Sequence, residues 1–186
     1  MSSPLFTPGE SVPPPHRMGG RVLYLDIDGV LNPDDAYWIR GRGPQVLHRP
    51  QRRLFEHCGL LAQELASYPR IRIVLSSAWV PWYRGSLPTL ARKLTPALQS
   101  RVVGATYHSR MNSNMFRQTP RWMQVWADVH RRRPESWLAL DDDDEWPPWC
   151  VSHLVLTNPI FGINHPQVLV NLRRKLPKLA ADLPPR

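Results

Sequence analysis

"LYLDIDGVLN", residues 23–32, places two aspartates, Asp26 and Asp28, directly behind an apolar run. The chain carries 15 acidic residues against 24 basic ones, so a carboxylate pair at this point asks for a reason. The stretch "RVLYLD" (21–26) has the continuous apolar character of a strand covered on both faces, as in a parallel sheet. Carboxylates at the end of a buried strand either hold a cation or take part in chemistry. For Asp26 taken alone, a turn or capping role is the plain alternative.

Three further apolar runs read as strands: "IRIVL" (71–75), "SWLAL" (136–140) and "VSHLVL" (151–156). Ser76 and Ser77 follow the second strand, and Asp141 and Asp142 follow the third. Residues 32–49 read as loop or hairpin. Pro50 suits the first turn of a helix to about Ser67, with Leu54, Cys58, Leu61 and Leu65 on one stripe. A second helix is predicted from Ser86 or Pro88 to about Leu98, and residues 101–118 read as irregular. Thr119 and Pro120 suit the N-cap and first position of a helix to about Arg132, with Trp122, Val125, Trp126 and Val129 facing inward. A final helix is predicted over 166–176. Strands alternating with helices predict an α/β fold, a Rossmann-like three-layer sandwich around a mostly parallel sheet. Such sheets bind ligands beyond the carboxyl ends of their strands, where this chain places acids and serines. One domain is expected over 21–178, between a Pro/Gly/Ser-rich flexible tail at 1–20 and a second tail at 179–186.

The 186 residues include no apolar run near the ~20 needed to span a membrane. The first twenty residues lack the basic stretch and apolar core of a signal peptide. Two cysteines, Cys58 and Cys150, are too few for a disulfide scaffold or a CxxC metal site, so a reducing cytoplasm is the expected setting. The net charge is +9, carried by 21 Arg and 3 Lys. Arg forks match phosphate oxygens, which points to a polyanionic partner. Codon usage in a GC-rich genome is the rival cause, since it also inflates Pro and Trp, here 21 and 8. Charge argues about partners and not about fold.

Nine of the 15 acids fall in two patches: Asp26, Asp28, Asp34 and Asp35, then Asp141, Asp142, Asp143, Asp144 and Glu145. Each patch follows a predicted strand, so the fold brings their first members together. Clustered carboxylates repel unless a cation neutralises them. Oxygen-only ligands favour Mg²⁺ over zinc. A calcium loop is excluded, because Gly29 stands fourth from Asp26 and the twelfth residue is Tyr37.

Three of these stretches together resemble a known family. "LDIDGVLN" resembles the first motif of haloacid dehalogenase-like (HAD) hydrolases, "IVLSSAW" the second and "LALDDDD" the fourth. Their order is right, over about residues 21–160, and the wording is most similar to small HAD domains associated with nucleic-acid repair. The resemblance implies a phosphatase that hydrolyses phosphomonoesters through an aspartyl-phosphate. Asp26 would be the nucleophile. Asp28 would be general acid and then general base, its backbone carbonyl on the metal. Gly29 would let the chain turn around the phosphate. Ser76, or failing it Ser77, would donate to a phosphoryl oxygen. Asp26, Asp28, Asp141 and Asp142 would form the Mg²⁺ site, with the direct ligand among Asp141 and Asp142 left open. Asp143 and Asp144 read as solvated loop. The family's third motif is a Lys or Arg at the start of the helix before the fourth. The three lysines, Lys93, Lys175 and Lys178, lie elsewhere. Arg121 is the first candidate and Arg117 the second; an ordinary surface Arg is the alternative.

HAD enzymes choose substrates mainly through cap insertions. Asn32–Arg70 reads as one loop and one helix and Trp79–Gln118 as one helix and irregular chain, neither of which looks like a full cap domain, so an open site is expected, able to admit a nucleic-acid end. Arg40, Arg42, Arg49, Arg52 and Arg53 could hold backbone phosphates. Trp79, Trp82, Trp146 and Trp149 could stack bases or simply pack. Three readings stand: a phosphatase for nucleotides or polynucleotide ends, a small-metabolite phosphatase, and a non-catalytic nucleic-acid or protein-binding module. Intact Asp26 and Asp28 argue against the last. His108, His130 and His153 receive no role, and the oligomeric state is left open.

Overall fold

The computed structural model describes residues 14–33, 36–39, 41–48, 51–83 and 85–181. Asp34, Asp35, Arg40, Arg49, Pro50 and most of both expected tails lie outside the described residues. The described strands are β1 (Arg21–Leu25), β2 (Ala36–Ile39), β3 (Gly43–Val46), β4 (Ile71–Leu75), β5 (Val102–Ala105), β6 (Ser136–Asp141) and β7 (Leu154–Leu156). Five of them form one parallel sheet in the order β5-β4-β1-β6-β7. Strands β2 and β3 form a separate antiparallel ribbon in the 32–49 segment. The helices are α1 (Cys58–Leu65), α2 (Trp79–Trp82), α3 (Leu87–Ala91), α4 (Pro96–Gln99), α5 (Ser113–Gln118), α6 (Arg121–Arg132) and α7 (Pro166–Ala180).

All five residues of β1 are buried, because it lies mid-sheet with helices on both faces. Side chains alternate across a strand. Leu23 and Leu25 join Leu61 and Leu65 of α1, Leu98 of α4 and Leu172 and Leu176 of α7 in one core. Val22 and Tyr24 join Val74, Val125 of α6 and Cys150 in another. The result is the expected three-layer α/β sandwich, and no separate cap domain occurs among the described residues. No described helix is long and apolar enough to cross a membrane. Both cysteines are free and buried.

Several elements differ from expectation. Helix α1 begins at Cys58, well after Pro50. Phe55 sits at φ +61°, which a right-handed helix cannot pass through. Its N–H is taken at 2.5 Å by the Asn32 side chain, and His57 N–H donates to Leu31 O at 3.3 Å. The segment before α1 is therefore tied to the loop after Asp28, and Leu54 packs on the core from outside the helix. The expected 86–98 helix is two pieces, α3 and α4. Pro96 forces Thr95 into extended backbone, ψ 152°, between them. The stretch expected to be irregular contains β5 and α5. Gly104 breaks the apolar pattern of β5 for a reason: a Cβ there would lie 2.8 Å from Arg132 Nη2.

Helix α6 starts at Arg121, with Pro120 as its cap and Thr119 closing α5. Val125 is buried, while Trp122 and Val129 are partly buried against the same core. Trp126 is held among Trp137 and Trp149. Strand β7 starts at Leu154, because Pro148–His153 forms a 3-10 turn. Helix α7 continues to Ala180 with Leu176 and Leu179 buried, beyond the expected helix end. Gly19 N–H donates to Arg132 O at 2.8 Å and Arg132 Nη1 donates to Arg17 O, so this part of the expected tail lies against α6.

A dry charge network pins α6 to the sheet. Asp128 accepts from Tyr24 Oη at 2.9 Å, Arg132 Nε at 2.7 Å and Arg131 Nη2 at 2.7 Å. The side chains of Asp128 and Arg132 are 0% and 2% exposed. Breaking a buried pair from one side costs roughly 3–5 kcal/mol, since the other charge stays dry. Arg132→Leu is accordingly expected to destabilise the fold by about that much in urea denaturation. A loss below about 1 kcal/mol, the value of an exposed pair, would contradict this account.

Candidate active site

Strands β1, β4 and β6 end level: Leu25 pairs with Leu75 on one side and Leu140 on the other. Asp26 N–H extends the ladder to Leu140 O at 3.1 Å, and Ser76 N–H to Leu25 O at 2.8 Å. Asp26, Ser76 and Asp141 thus stand side by side at the carboxyl edge. Asp26 is 4% exposed and Asp141 1% exposed. Carboxylate oxygens of Asp26, Asp141 and Asp142 lie within 4.8 Å of one another. Burial and the charge of Asp26 raise Asp141 well above the usual carboxylate range. This oxygen-only, charge-rich donor set fits a small hard dication such as Mg²⁺.

The turn after β1 folds tightly over this edge. Ile27 N–H donates to Asp26 Oδ1 at 2.6 Å, and Leu31 and Asn32 N–H both return to Ile27 O, at 2.8 and 2.9 Å. Gly29 has φ +62°, and any Cβ on it would collide with the Asp142 carboxylate. Thr157, just past β7, locks the turn to β6. Its Oγ1 donates to Gly29 O at 2.7 Å and its N–H to Asp141 O at 2.8 Å. Asp28 lies apart from the three clustered carboxylates. Its Oδ2 accepts from Trp79 Nε1 at 2.5 Å and its Oδ1 from Asn32 Nδ2 at 3.1 Å. Burial, then the charge of Asp26, push its carboxyl up to about 7 against those two hydrogen bonds.

Arg121, first residue of α6, reaches into the acids. Nη2 donates to Asp26 Oδ2 at 3.1 Å, and Nε lies 3.6 Å from Asp141 Oδ2. Nη1 donates to Gln124 Oε1 at 2.9 Å; Gln124 is itself fixed by Phe116 O and Thr119 O at 2.9 and 2.8 Å. Burial opposes the guanidinium charge, but Asp26, Asp141, Asp142 and Asp143 outweigh it, and its pKa is raised. Arg117 is exposed and bonded to Asn114 Oδ1 at 2.7 Å. It lines the same cavity, of about 340 Å³, with Asp26, Arg121, Gln124 and Asp141. Arg121 therefore touches the acids, and Arg117 sits at the rim. Among the described residues Ser76 Oγ is buried with no hydrogen-bond partner, whereas Ser77 Oγ accepts from Trp79 N–H at 3.3 Å. An unsatisfied buried hydroxyl at this edge is one that a phosphoryl oxygen would satisfy.

The remaining candidates separate by environment. Asp143 N–H turns back to Asp141 Oδ1 at 3.1 Å and Glu145 N–H to Asp143 Oδ1 at 2.9 Å, while Asp144 and Glu145 are exposed. Trp79 and Trp146 are buried, and Trp82 is half-buried. Trp149 is exposed and packs on Trp122 and Trp126. Arg52 is engaged by Glu56 and lies 3.1 Å from His57 Nε2, while Arg42 and Arg53 are exposed. Sequence reasoning missed Gln124, Asn32 and Thr157 as site residues. Each carried a signal: Gln124 is one helical turn from Arg121, Asn32 closes the opening stretch, and Thr157 follows a parallel strand.

Residues 22–168 match the family described as the HAD domain in Swiss Army Knife RNA repair proteins. No curated protein and no solved structure matches the chain.

The contact of Gly29 with Asp142 yields a direct test. Gly29→Ala displaces the Asp142 carboxylate, and Mg²⁺ affinity by calorimetry is expected to fall about 10–100-fold, the scale for disturbed ligand orientation. Unchanged affinity in a folded variant would remove Asp142 from the cation site.

Proposed function

The chain belongs to the family of HAD domains found in Swiss Army Knife RNA repair proteins, and on that premise we propose that it is a Mg²⁺-dependent phosphatase. It hydrolyses phosphomonoesters through an aspartyl-phosphate, on nucleotides or polynucleotide ends. The observation that carries this reading is the convergence of Arg121 on Asp26 and Asp141 at the strand ends. That arrangement joins a nucleophile, a cation site and a phosphoryl clamp.

Asp26, Asp141 and Asp142, with the backbone carbonyl of Asp28, would hold Mg²⁺, whose charge offsets the repulsion between the nucleophile and an anionic ester. A carboxylate oxygen of Asp26 attacks phosphorus, and the bond from phosphorus to the ester oxygen breaks. Asp28, whose carboxyl is pushed up to about 7 by burial and then by the charge of Asp26, gives its proton to the leaving oxygen. Arg121 and Ser76 hold phosphoryl oxygens meanwhile, Arg121 exchanging its bond to Asp26 for one to the substrate. In the second half Asp28, now a carboxylate, takes a proton from water as that water attacks phosphorus. Inorganic phosphate leaves, and Asp26 regains its carboxylate. Gly29 supports the close turn and Ser77 the backbone of α2; Arg117 faces the substrate from the rim.

The open site, the charge of +9 and the RNA-repair setting of the family support a nucleic-acid end as substrate. The small-metabolite reading draws on Arg52, which is held by Glu56 and so less available to a backbone phosphate. Phosphate release from 3′- and 5′-phosphorylated oligonucleotides, against a panel of small esters, separates the two. EDTA is expected to stop the reaction and Mg²⁺ to restore it; EDTA-resistant turnover would refute the carboxylate–metal reading. Asp26→Asn is expected to abolish turnover with the circular dichroism spectrum unchanged, and appreciable activity in that variant would sink the mechanism. Arg121→Ala should lose roughly 2–4 kcal/mol of transition-state stabilisation, on the scale of a lost oxyanion donor. A larger loss in Arg117→Ala would move the third motif to that residue.

A further inference from the structure

We propose that the half-exposed indole of Trp38 is a stacking platform for the base of the nucleotide whose terminal phosphate is removed. The inference deepens the phosphatase reading above and rests on it. Trp38 lies on the β2–β3 ribbon, which follows directly on the turn carrying Asp28 and Asn32. A two-stranded ribbon alone is marginal in water. This one is anchored by buried Ala36 and by the ring of Trp38, whose centroid lies 5.3 Å from Tyr83 and 6.0 Å from Trp82.

Those rings lead inward to the proton donor. Tyr83 stacks on Trp79 at 6.4 Å and 18°, and Trp82 lies 5.8 Å from Trp79. Trp79 is fully buried and holds Asp28 Oδ2 through its Nε1 at 2.5 Å. A continuous aromatic series thus begins at Asp28 and ends in solvent at Trp38, which is 41% exposed. Chemistry sets what lies on that side. The general acid must face the leaving oxygen, and in a nucleotide that oxygen belongs to the nucleoside. The sugar and base therefore extend from Asp28's side of the phosphorus, where the ring series ends.

A single exposed aromatic is ordinary on a protein surface. Trp38 differs in being fixed by two neighbouring rings while leaving part of its own exposed. Stacking a base on it then freezes little side-chain freedom. Every base has a π-face, so such a platform binds single-stranded ends with little sequence preference. Exposed Arg42 in the turn of the same ribbon supplies a positive charge for the next backbone phosphate.

The test compares wild type, Trp38→Ala and Trp38→Phe on single-stranded oligonucleotides phosphorylated at either end. Each oligonucleotide carries either a normal or an abasic terminal residue, with the matching mononucleotide and glycerol phosphate alongside. Trp38→Ala is expected to lower kcat/KM on the base-bearing end about 5–100-fold, chiefly through KM. Trp38→Phe should recover most of that. In wild type the abasic end should lose the same factor, and Trp38→Ala should add little to it, as coupled partners do. A mononucleotide that loses as much as the oligonucleotide also supports the proposal, because the platform then serves the terminal nucleoside itself. Equal losses on abasic and base-bearing ends, or none, would overturn it. If wild type cleaves glycerol phosphate but no nucleotide or oligonucleotide, the nucleic-acid substrate and the platform fall together. If it cleaves nothing, the phosphatase reading fails by itself. Binding of base-bearing against abasic oligonucleotide to wild type and Trp38→Ala still decides the platform: unequal coupling supports it, and identical affinities overturn it.

Discussion

Two nearly dry carboxylates, Asp26 and Asp141, end adjacent parallel strands with their oxygens within a few ångströms. Left alone, one of them would take up a proton, because like charges in a low-dielectric site cannot both ionise. Arg121 supplies part of the compensation, and the cluster of Asp26, Asp141 and Asp142 could hold a cation that supplies the rest. Much of the local structure follows from keeping these groups in place. Gln124 fixes Arg121 and is itself fixed by two carbonyls at the end of α5. Gly29 gives way to Asp142, and Thr157 ties the Gly29 turn to the backbone of Asp141.

Helix α6 carries buried charge at both ends. At its start Arg121 faces the acids; near its end Arg132 meets Asp128 and the backbone of Arg17. A cation at a helix N-terminus opposes the macrodipole, so Arg121 is a poor choice for helix stability. Its position makes sense only against Asp26 and Asp141, whose attraction outweighs both the dipole and burial. The Asp128 network at the far end gives α6 a second fixed point on the sheet through Tyr24 of β1. The same central strand thus positions Asp26 at one end and anchors the helix that carries Arg121 along its length.

The legible parts were those where local chemistry and position agreed. Buried strands ending in Asp26, Ser76 and Asp141 could be read because an all-apolar run closed by a polar residue has few other meanings in an α/β chain. Arg121 was legible from Pro120, which marks a helix start. Strand β5 was not, because Gly104 interrupts its apolar pattern to make room for Arg132, a partner remote in sequence. The late start of α1 was hidden for a related reason. Asn32 takes the Phe55 N–H across 23 residues, and a tertiary bond of that kind leaves no local trace. Gln124 drew no notice beside the apolar stripe of α6, and only the fold shows it holding Arg121. Among the tryptophans, Trp79 and Trp146 are core residues, while Trp38 drew no notice inside a segment read only as loop or hairpin.

A HAD site without a cap among the described residues meets a physical difficulty, since nothing described above it excludes water or selects a substrate. Selectivity must then come from the rim of the carboxyl edge itself. The rim here has two chemically different sides. Toward α5 and α6 it is polar and charged, with Arg117, Arg121 and Gln124 around the cavity next to Asp26. Beyond Asp28 it is aromatic, from buried Trp79 through Trp82 and Tyr83 to Trp38. A phosphate monoester has the same asymmetry: a dianionic head, and a leaving group that is nearly neutral in a nucleoside. Trp79 links Asp28 to the aromatic side, because the indole that orients the Asp28 carboxyl also supports the rings leading outward. In the proposed mechanism, proton transfer to the leaving oxygen and recognition of what that oxygen carries would both be built on this one side chain.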